Sequence, residues 1–116
     1  MSTFPEAATP ELLDAQRLAR AHLRTLAIPA HRQGYEQLVL CIALYSRDPN
    51  LSITKELYPA AAKNSDWTAV EHAIRNMIYA AWQVRDADVW KTYFPKCSDR
   101  PPTNKQFIAA IAELIR

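Results

Sequence analysis

The stretch Thr68-Ala-Val-Glu-His-Ala-Ile-Arg-Asn-Met-Ile-Tyr-Ala-Ala-Trp82 decides the fold, because its apolar residues recur at the period of an α-helix. The apolar positions are Val70, Ala73, Ile74, Met77, Ile78, Ala81 and Trp82. They form a continuous stripe of the kind that packs against a core. The pattern predicts an amphipathic helix over residues 68–84, with Thr68 and Glu71 as a T-x-x-E capping box at its start.

The opposite face of this helix carries polar side chains that can contact DNA. Its members are Glu71, His72, Arg75, Asn76 and Tyr79. Such side chains can hydrogen-bond a base edge or a phosphate, or stack on a base. A helix with one apolar face and one mixed polar face is typical of a recognition helix, and it is equally typical of an ordinary surface helix.

The composition is that of one globular domain spanning residues 1–116. The 116 residues are enough for a hydrophobic core without disulfides, and the 49% of hydrophobic residues argue against disorder. The net charge of +2 permits DNA binding without requiring it, since strongly basic domains carry a larger excess of cations. Residues 1–8 are expected to form a flexible N-terminal segment.

The rest of the chain predicts further helices, because it has a single glycine, much alanine and leucine, and no alternating β-branched runs. These helices are expected at residues 10–26, 31–46, 53–63 and 86–94, and from Thr103 onward. Thr9 is expected to cap the first, and Thr103 and Gln106 form a capping box in the last. Pro59 should kink or split the third. The predicted fold class is all-α, with about six helices in a compact bundle.

Two of these helices are joined by a short polar turn, Asn64-Ser-Asp66, in the layout of a helix-turn-helix. The first helix of the pair is predicted at residues 58–63, and the second, the recognition helix, at residues 68–84. Short turns also join many helix pairs that never meet DNA, so the layout by itself leaves the function open.

Four sequence blocks resemble a known family. They are Ile28-Pro-Ala-His-Arg-Gln-Gly-Tyr35, Ser52-Ile-Thr-Lys-Glu-Leu-Tyr-Pro59, Val70-Glu-His-Ala-Ile-Arg-Asn-Met-Ile78 with Ala81-Trp82, and Pro102-Thr-Asn-Lys-Gln-Phe-Ile-Ala109. In order and spacing they resemble the C-terminal effector domain of the sporulation-initiation response regulator of endospore-forming Firmicutes. The resemblance covers residues 26–114. It implies an all-helical fold with a helix-turn-helix that reads promoter DNA, usually as tandem copies on adjacent sites.

The chain departs from the family pattern in three ways. Members of the family carry an N-terminal phosphoacceptor receiver domain, for which too few residues precede the match, so a stand-alone domain is expected. The turn between the paired helices is shorter than in the family. On the outer face of the second helix, Glu71 and Arg75 fit the family pattern. Less basic residues stand at three other positions there: Ala69, His72 and Asn76.

Arg75 is the leading candidate for a base contact, since an arginine can pair bidentately with O6 and N7 of guanine. Its alternative role is that of a surface arginine paired with Glu71 one helical turn away. Glu71 can accept a hydrogen bond from a cytosine amino group, or serve only in the capping box. Asn76 can pair with adenine and His72 can touch a phosphate or a base, or both can be plain surface residues.

Further candidates for DNA contact flank the helix pair or lie along the second helix. They are Ser52, Thr54, Lys55, Lys63, Thr68 and Tyr79. A helix N-terminus with Ser and Thr can bind phosphate, and lysines can neutralise it. The alternatives are capping for Ser52, packing for Tyr79 and solvation for the rest. Trp67 is predicted as a hydrophobic staple before the cap, and Trp82 and Trp90 as core anchors.

The sequence carries no signature of an enzyme, a metal site or a cofactor. Its three histidines are far apart and share no pattern with an acid or a cysteine, and no Gly-rich phosphate loop or paired-Cys motif occurs. Cys41 lies in an apolar run and is predicted to be a small buried hydrophobe. No apolar run of about 18 residues and no signal peptide occur, so a cytoplasmic protein with no membrane partner is expected.

The sequence leaves two functional hypotheses open. The first is a stand-alone DNA-binding transcriptional regulator that places residues 68–84 in the major groove of double-stranded DNA, with a tandem dimer on DNA as an option. The second is a protein-interaction module with degenerate DNA readout that modulates a full-length homologous regulator or RNA polymerase. A contiguous basic patch around Arg75 would favour DNA, and a neutral or apolar patch would favour a protein partner.

Overall fold

The computed structural model describes residues 9–63 and 66–116, and its regular structure is helical. The α-helices are α1 (Pro10–Thr25), α2 (Tyr35–Arg47), α3 (Tyr58–Ala62), α4 (Trp67–Gln83), α5 (Ala87–Tyr93) and α6 (Asn104–Ile115), and a π-helical turn (Ile53–Leu57) precedes α3. No strand occurs in these described ranges, and the predicted all-α class is confirmed. The predictions for residues 1–8, Asn64 and Ser65 lie outside the described residues.

Helix α2 forms the centre of the fold. It contacts α1, α3, α4, α6 and the π-helical turn. A helix with neighbours on all sides needs apolar residues all round, and Leu38, Val39 and Ile42 are indeed fully buried. Burial raises the pKa of the Cys41 thiol to about 12, so this cysteine is the inert buried hydrophobe that the sequence predicted.

The apolar stripe of α4 is buried against α2, α3 and α6. Its buried members are Val70, Ile74, Met77, Ile78, Ala81 and Trp82, and the seventh predicted member, Ala73, is partly buried. The ring of Trp82 meets that of Trp90 edge to face at 5.8 Å between centroids. Trp90 in turn packs against Phe94 and Phe107. Both tryptophans are core anchors, as predicted.

The start of α4 corrects two predictions. Asp66 is the N-cap, and its carboxylate accepts the N–H of Thr68 at 3.1 Å. The predicted capping box of Thr68 and Glu71 is therefore wrong, because Asp66 has the extended backbone of a cap and caps at least as well as threonine. Trp67 lies inside the first turn, not before the cap. Instead of acting as a staple, its ring stacks on that of Tyr58 at 6.3 Å.

Helix α2 begins at Tyr35 and not at residue 31 as predicted. The preceding residues form turns, in which the N–H of Arg32 donates to Pro29 and the N–H of Tyr35 donates to Arg32. Gly34 ends these turns with φ of 93°, in the left-handed region. A Cβ at this position would lie 2.7 Å from the Cβ of Ala73 on α4. Glycine is therefore required both by the backbone conformation and by the close approach of α4.

Helix α1 has the predicted N-cap, since the Thr9 hydroxyl accepts the N–H of Leu12. It ends in a Schellman motif, in which the N–H of Ile28 donates to Leu23 at 2.9 Å and that of Ala27 donates to Arg24 at 3.0 Å. Ala27 takes the left-handed position of this motif with φ of 60°, where glycine is the usual residue.

Pro59 lies where the third predicted helix is split. The N–H of Leu57 donates to Ser52 at 3.0 Å in the π-helical pattern, and α-helix resumes at Tyr58. Pro59 is then in the first turn of α3, where its missing N–H costs nothing. In α6 the predicted capping box of Thr103 and Gln106 is present.

Gly34 and Ala27, which both have positive φ, predict opposite effects of substitution on stability. Gly34→Ala should lower the free energy of unfolding by about 2–4 kcal/mol, because it adds backbone strain and a clash with Ala73. Ala27→Gly should raise it by about 0.5–1 kcal/mol, because the strain of an exposed alanine is removed. Urea unfolding followed by circular dichroism measures both changes, and effects of the same sign would contradict the assignment.

Candidate nucleic-acid interface

Four polar side chains form an exposed stripe along α4. His72, Arg75, Asn76 and Tyr79 follow one another at i, i+3, i+4 and i+7, and all are exposed. At 1.5 Å per residue this stripe is about 10 Å long, which is less than the width of about 12 Å of the DNA major groove. Because the apolar stripe of α4 is held in the core, these side chains are turned toward solvent.

Glu71 lies beside the exposed stripe and its carboxylate is close to two members of the stripe. Its Oε1 is 3.6 Å from Nη2 of Arg75 and 4.0 Å from Nε2 of His72. The Arg75 side chain keeps 57% of its surface exposed. Exposed pairs one helical turn apart contribute only about 0.3–0.5 kcal/mol. Arg75 can therefore exchange Glu71 for an acceptor on a partner at little cost.

A groove of about 440 Å³ runs beside the stripe and joins three parts of the chain. From α4 it is lined by Glu71, Arg75, Ile78 and Tyr79; from the π-helical turn and α3 by Ile53, Thr54 and Tyr58; and from the start of α6 and the loop before it by Arg100, Pro101, Pro102, Thr103, Asn104 and Lys105. The groove thus combines apolar walls with three cationic side chains and one carboxylate.

Asn104, which was not a predicted site residue, connects these three parts by hydrogen bonds. Its Nδ2 donates to the Tyr58 hydroxyl at 3.1 Å and to the backbone carbonyl of Glu71 at 3.0 Å. Burial raises the pKa of Tyr58, so its hydroxyl stays neutral and remains available to this network. The capping box at Thr103 indicated where α6 begins, but no sequence signal showed that the next side chain reaches α3 and α4.

Ser52 caps the π-helical turn, which is the alternative role that the sequence left open. Its Oγ accepts the N–H of Lys55 at 3.1 Å, and its own N–H donates to Oε1 of Glu56 at 2.9 Å. A second groove joins Ser52 and Thr54 to Lys105 of α6. Thr54 and Lys105 line both grooves, so the two grooves are neighbours on one surface.

The groove of about 440 Å³ beside α4 brings together four of the residues predicted to bind DNA. These are Thr54, Glu71, Arg75 and Tyr79. The others lie outside it: Lys55, Lys63, His72 and Asn76 are exposed, Ser52 and Thr68 are partly buried. The predicted residues thus extend over a surface wider than the groove, from the π-helical turn to the middle of α4.

Within residues 9–63 and 66–116, no group of three or more His, Cys, Asp or Glu side chains could hold a metal ion. The same part of the chain contains no helix with the length and apolar character needed to cross a membrane.

A family model described as the C-terminal domain of sporulation initiation factor Spo0A matches residues 19–115. The chain belongs to this family. The match takes in the C-terminal part of α1 (residues 19–25) and all of α2 to α6, and it confirms the resemblance predicted from four sequence blocks. The Spo0A C-terminal family consists of DNA-binding domains that regulate transcription in sporulation, and it is not a family of enzymes.

The cap of α4 predicts a specific dependence of stability on pH. Hydrogen bonds from Thr68 lower the pKa of the Asp66 carboxyl from its ordinary value in the folded protein. A lowered folded-state pKa means that the carboxylate stabilises the fold above its unfolded pKa, and that this contribution is lost as pH falls through the folded pKa. Between about pH 5 and pH 2, wild type should therefore lose more stability than Asp66→Asn, which caps without titrating. Parallel pH profiles of the unfolding midpoint would contradict this account.

The two hydrogen bonds of Asn104 predict a graded loss of stability. Asn104→Ala should lower the free energy of unfolding by about 1–3 kcal/mol, because two partly buried acceptors lose their donor. Tyr58→Phe removes one of the two bonds and should cost about 1 kcal/mol. Asn76→Ala, at an exposed asparagine of α4, is the control and should change stability by less than about 0.5 kcal/mol. Equal effects of Asn104→Ala and Asn76→Ala in urea unfolding would refute this role.

Proposed function

We propose that the protein is a transcriptional regulator that binds double-stranded DNA with α4 in the major groove. The observation that carries the proposal is the exposed stripe His72, Arg75, Asn76 and Tyr79 on the second helix of the α3–α4 pair. In a helix-turn-helix, the second helix of the pair is the one that enters the major groove. Membership of a family of DNA-binding domains supports the same assignment.

The packing of the α3–α4 pair supports a recognition role, because base readout needs a rigidly held helix. The Trp67 ring stacks on Tyr58 with an angle of 8° between the ring planes. Asn104 joins the same Tyr58 to the backbone of α4. The two helices are thus held on both sides of Tyr58, and α4 is also fixed by its buried stripe.

The proposed roles follow from the hydrogen-bonding capacity of each side chain. Arg75 reads guanine bidentately, and Asn76 pairs with adenine. Glu71 accepts from cytosine or orients Arg75, from which it lies 3.6 Å. His72 contacts a base or a phosphate.

The flanking residues are proposed to position the domain on the phosphate backbone. They are Ser52, Thr54, Lys55, Lys63, Thr68 and Tyr79. Action as a stand-alone regulator, and binding as a tandem dimer on adjacent sites, are part of the same proposal.

A second function is favoured by the apolar side chains exposed on or next to α4. Trp67 is 37%, Tyr79 51% and Val84 78% exposed. Aromatic residues are enriched at protein interfaces, and Glu71 reduces the positive charge of this surface. The alternative is therefore a protein-interaction module that contacts a full-length homologous regulator or RNA polymerase through the same face.

The two functions are separated by selection of duplexes from a randomised library, followed by binding measurements with fluorescence anisotropy at about 50 mM and 200 mM salt. Binding of a selected duplex supports the DNA-binding function. If no duplex is retained even at the lower salt concentration, where phosphate contacts are strongest, that function is refuted. Binding to the purified regulator or polymerase alone would then support the second function.

Arg75→Ala should weaken binding to the selected duplex by about 10- to 100-fold, the effect of losing a bidentate guanine contact. Arg75→Lys keeps the positive charge but cannot make the bidentate contact with guanine. This variant should therefore lose base preference while retaining non-specific binding. The matched control is Arg17→Ala, because Arg17 is likewise an exposed arginine paired with a carboxylate on its own helix. An equal effect of Arg17→Ala and Arg75→Ala would contradict the assigned role.

A further inference from the structure

The groove beside α4 carries more positive charge than the sequence-predicted residues account for. Arg100 and Lys105 line it together with Arg75, and neither was predicted to bind DNA. Both are exposed. Arg75 is paired with Glu71, whereas no carboxylate within the described ranges forms an ion pair with Arg100 or Lys105. Within the part of the chain that the structure describes, two cations next to the proposed recognition helix thus have no ion-pair partner.

The position of Lys105 is unfavourable for the helix that carries it. Lys105 lies in the first turn of α6, and this turn contains no acidic residue. The N-terminus of a helix carries partial positive charge, so a cation there is repelled. An anion bound next to Lys105 would remove this repulsion. The same lysine also lines the groove that contains Ser52 and Thr54, so it lies between the π-helical turn and the groove of α4.

Arg100 is attached to a stiff segment. The two residues that follow it, Pro101 and Pro102, have restricted backbone angles. Pro102 is buried, which holds the segment to the body of the domain. The Arg100 backbone is therefore held close to α6, and less conformational entropy is lost when its side chain engages a ligand.

Resting on the proposed function, we propose that Arg100 and Lys105 bind the phosphate backbone of the same DNA duplex that receives α4. The occupant is a DNA strand bordering the major groove. Two features of the groove favour this occupant: the groove is continuous with the stripe of α4 through Arg75 and Tyr79, and its excess positive charge is complementary to phosphate. The loop before α6 and the first turn of α6 thus form a second contact region. This region binds the phosphate backbone of the DNA, and α4 contacts the bases.

The test is the salt dependence of binding to the selected duplex. Each neutralised phosphate contributes about 0.9 to the slope of log K against log salt concentration. Arg100→Gln and Lys105→Gln should each reduce the slope by about one, and the double variant by about two. The order of preference among duplex sequences should not change, because phosphate contacts carry no base information.

The charge-matched control is the double variant Arg17→Gln/Arg116→Gln. It also removes two positive charges, but Arg17 lies on α1 and Arg116 follows the opposite end of α6, where both form exposed ion pairs. This control should leave the slope within the error of wild type. Circular dichroism spectra and unfolding midpoints of both double variants establish that each one is folded.

The outcomes separate this inference from the function on which it rests. If wild type binds no duplex, the proposed function fails. If wild type binds and Arg75→Ala weakens binding, but the Arg100→Gln/Lys105→Gln slope equals that of wild type, only the second contact region is refuted. An equal fall of the slope in the control double variant would also overturn it, since net charge and not position would then be responsible. A changed order of base preference would do so as well.

Discussion

Burial of the apolar stripe of α4 is the constraint on which the rest of the structure depends. Complete burial of a side chain such as Ile74 or Met77 stabilises a fold by about 1.5–3 kcal/mol, and both are fully buried against neighbouring helices. Because one face of α4 is held in this way, the rotation of the helix about its axis is set. That rotation turns His72, Arg75, Asn76 and Tyr79 to solvent. The surface proposed to read DNA is therefore a direct consequence of core packing.

A second constraint comes from two contacts between the first half of α4 and other parts of the domain. At Gly34 the start of α2 comes so close to Ala73 that no side chain can be placed between them. At Asn104 the start of α6 is hydrogen-bonded to α3 and to α4. The second of these contacts also holds the segment that carries Arg100 and Lys105 beside α4. One asparagine therefore links the stability of the fold to the distribution of charge on its surface.

The sequence allowed the helices to be predicted wherever local signals agreed with the final packing. The capping box at Thr103, the split at Pro59 and the core positions of Trp82 and Trp90 all follow from such signals. Errors arose where two local signals competed. Asp66 and Thr68 both have side chains that can cap a helix. In the structure Asp66 is the N-cap, with the extended backbone of that position, and Thr68 lies inside the helix. The sequence pattern predicts the start of α2 too early, because the role of Gly34 depends on its contact with Ala73, which is distant in sequence.

By itself, the sequence determined the all-α class, the apolar and polar faces of α4 and the family, because periodicity, capping and motif order are properties of neighbouring residues. Only the tertiary structure decided which of the candidate residues lie together. It joined Thr54, Glu71, Arg75 and Tyr79 in one groove and added Asn104, Arg100 and Lys105 to them. The reason is physical: the hydrogen bonds from Asn104 to α3 and α4 hold the start of α6 there, and such contacts between distant segments leave no periodic signal in the chain.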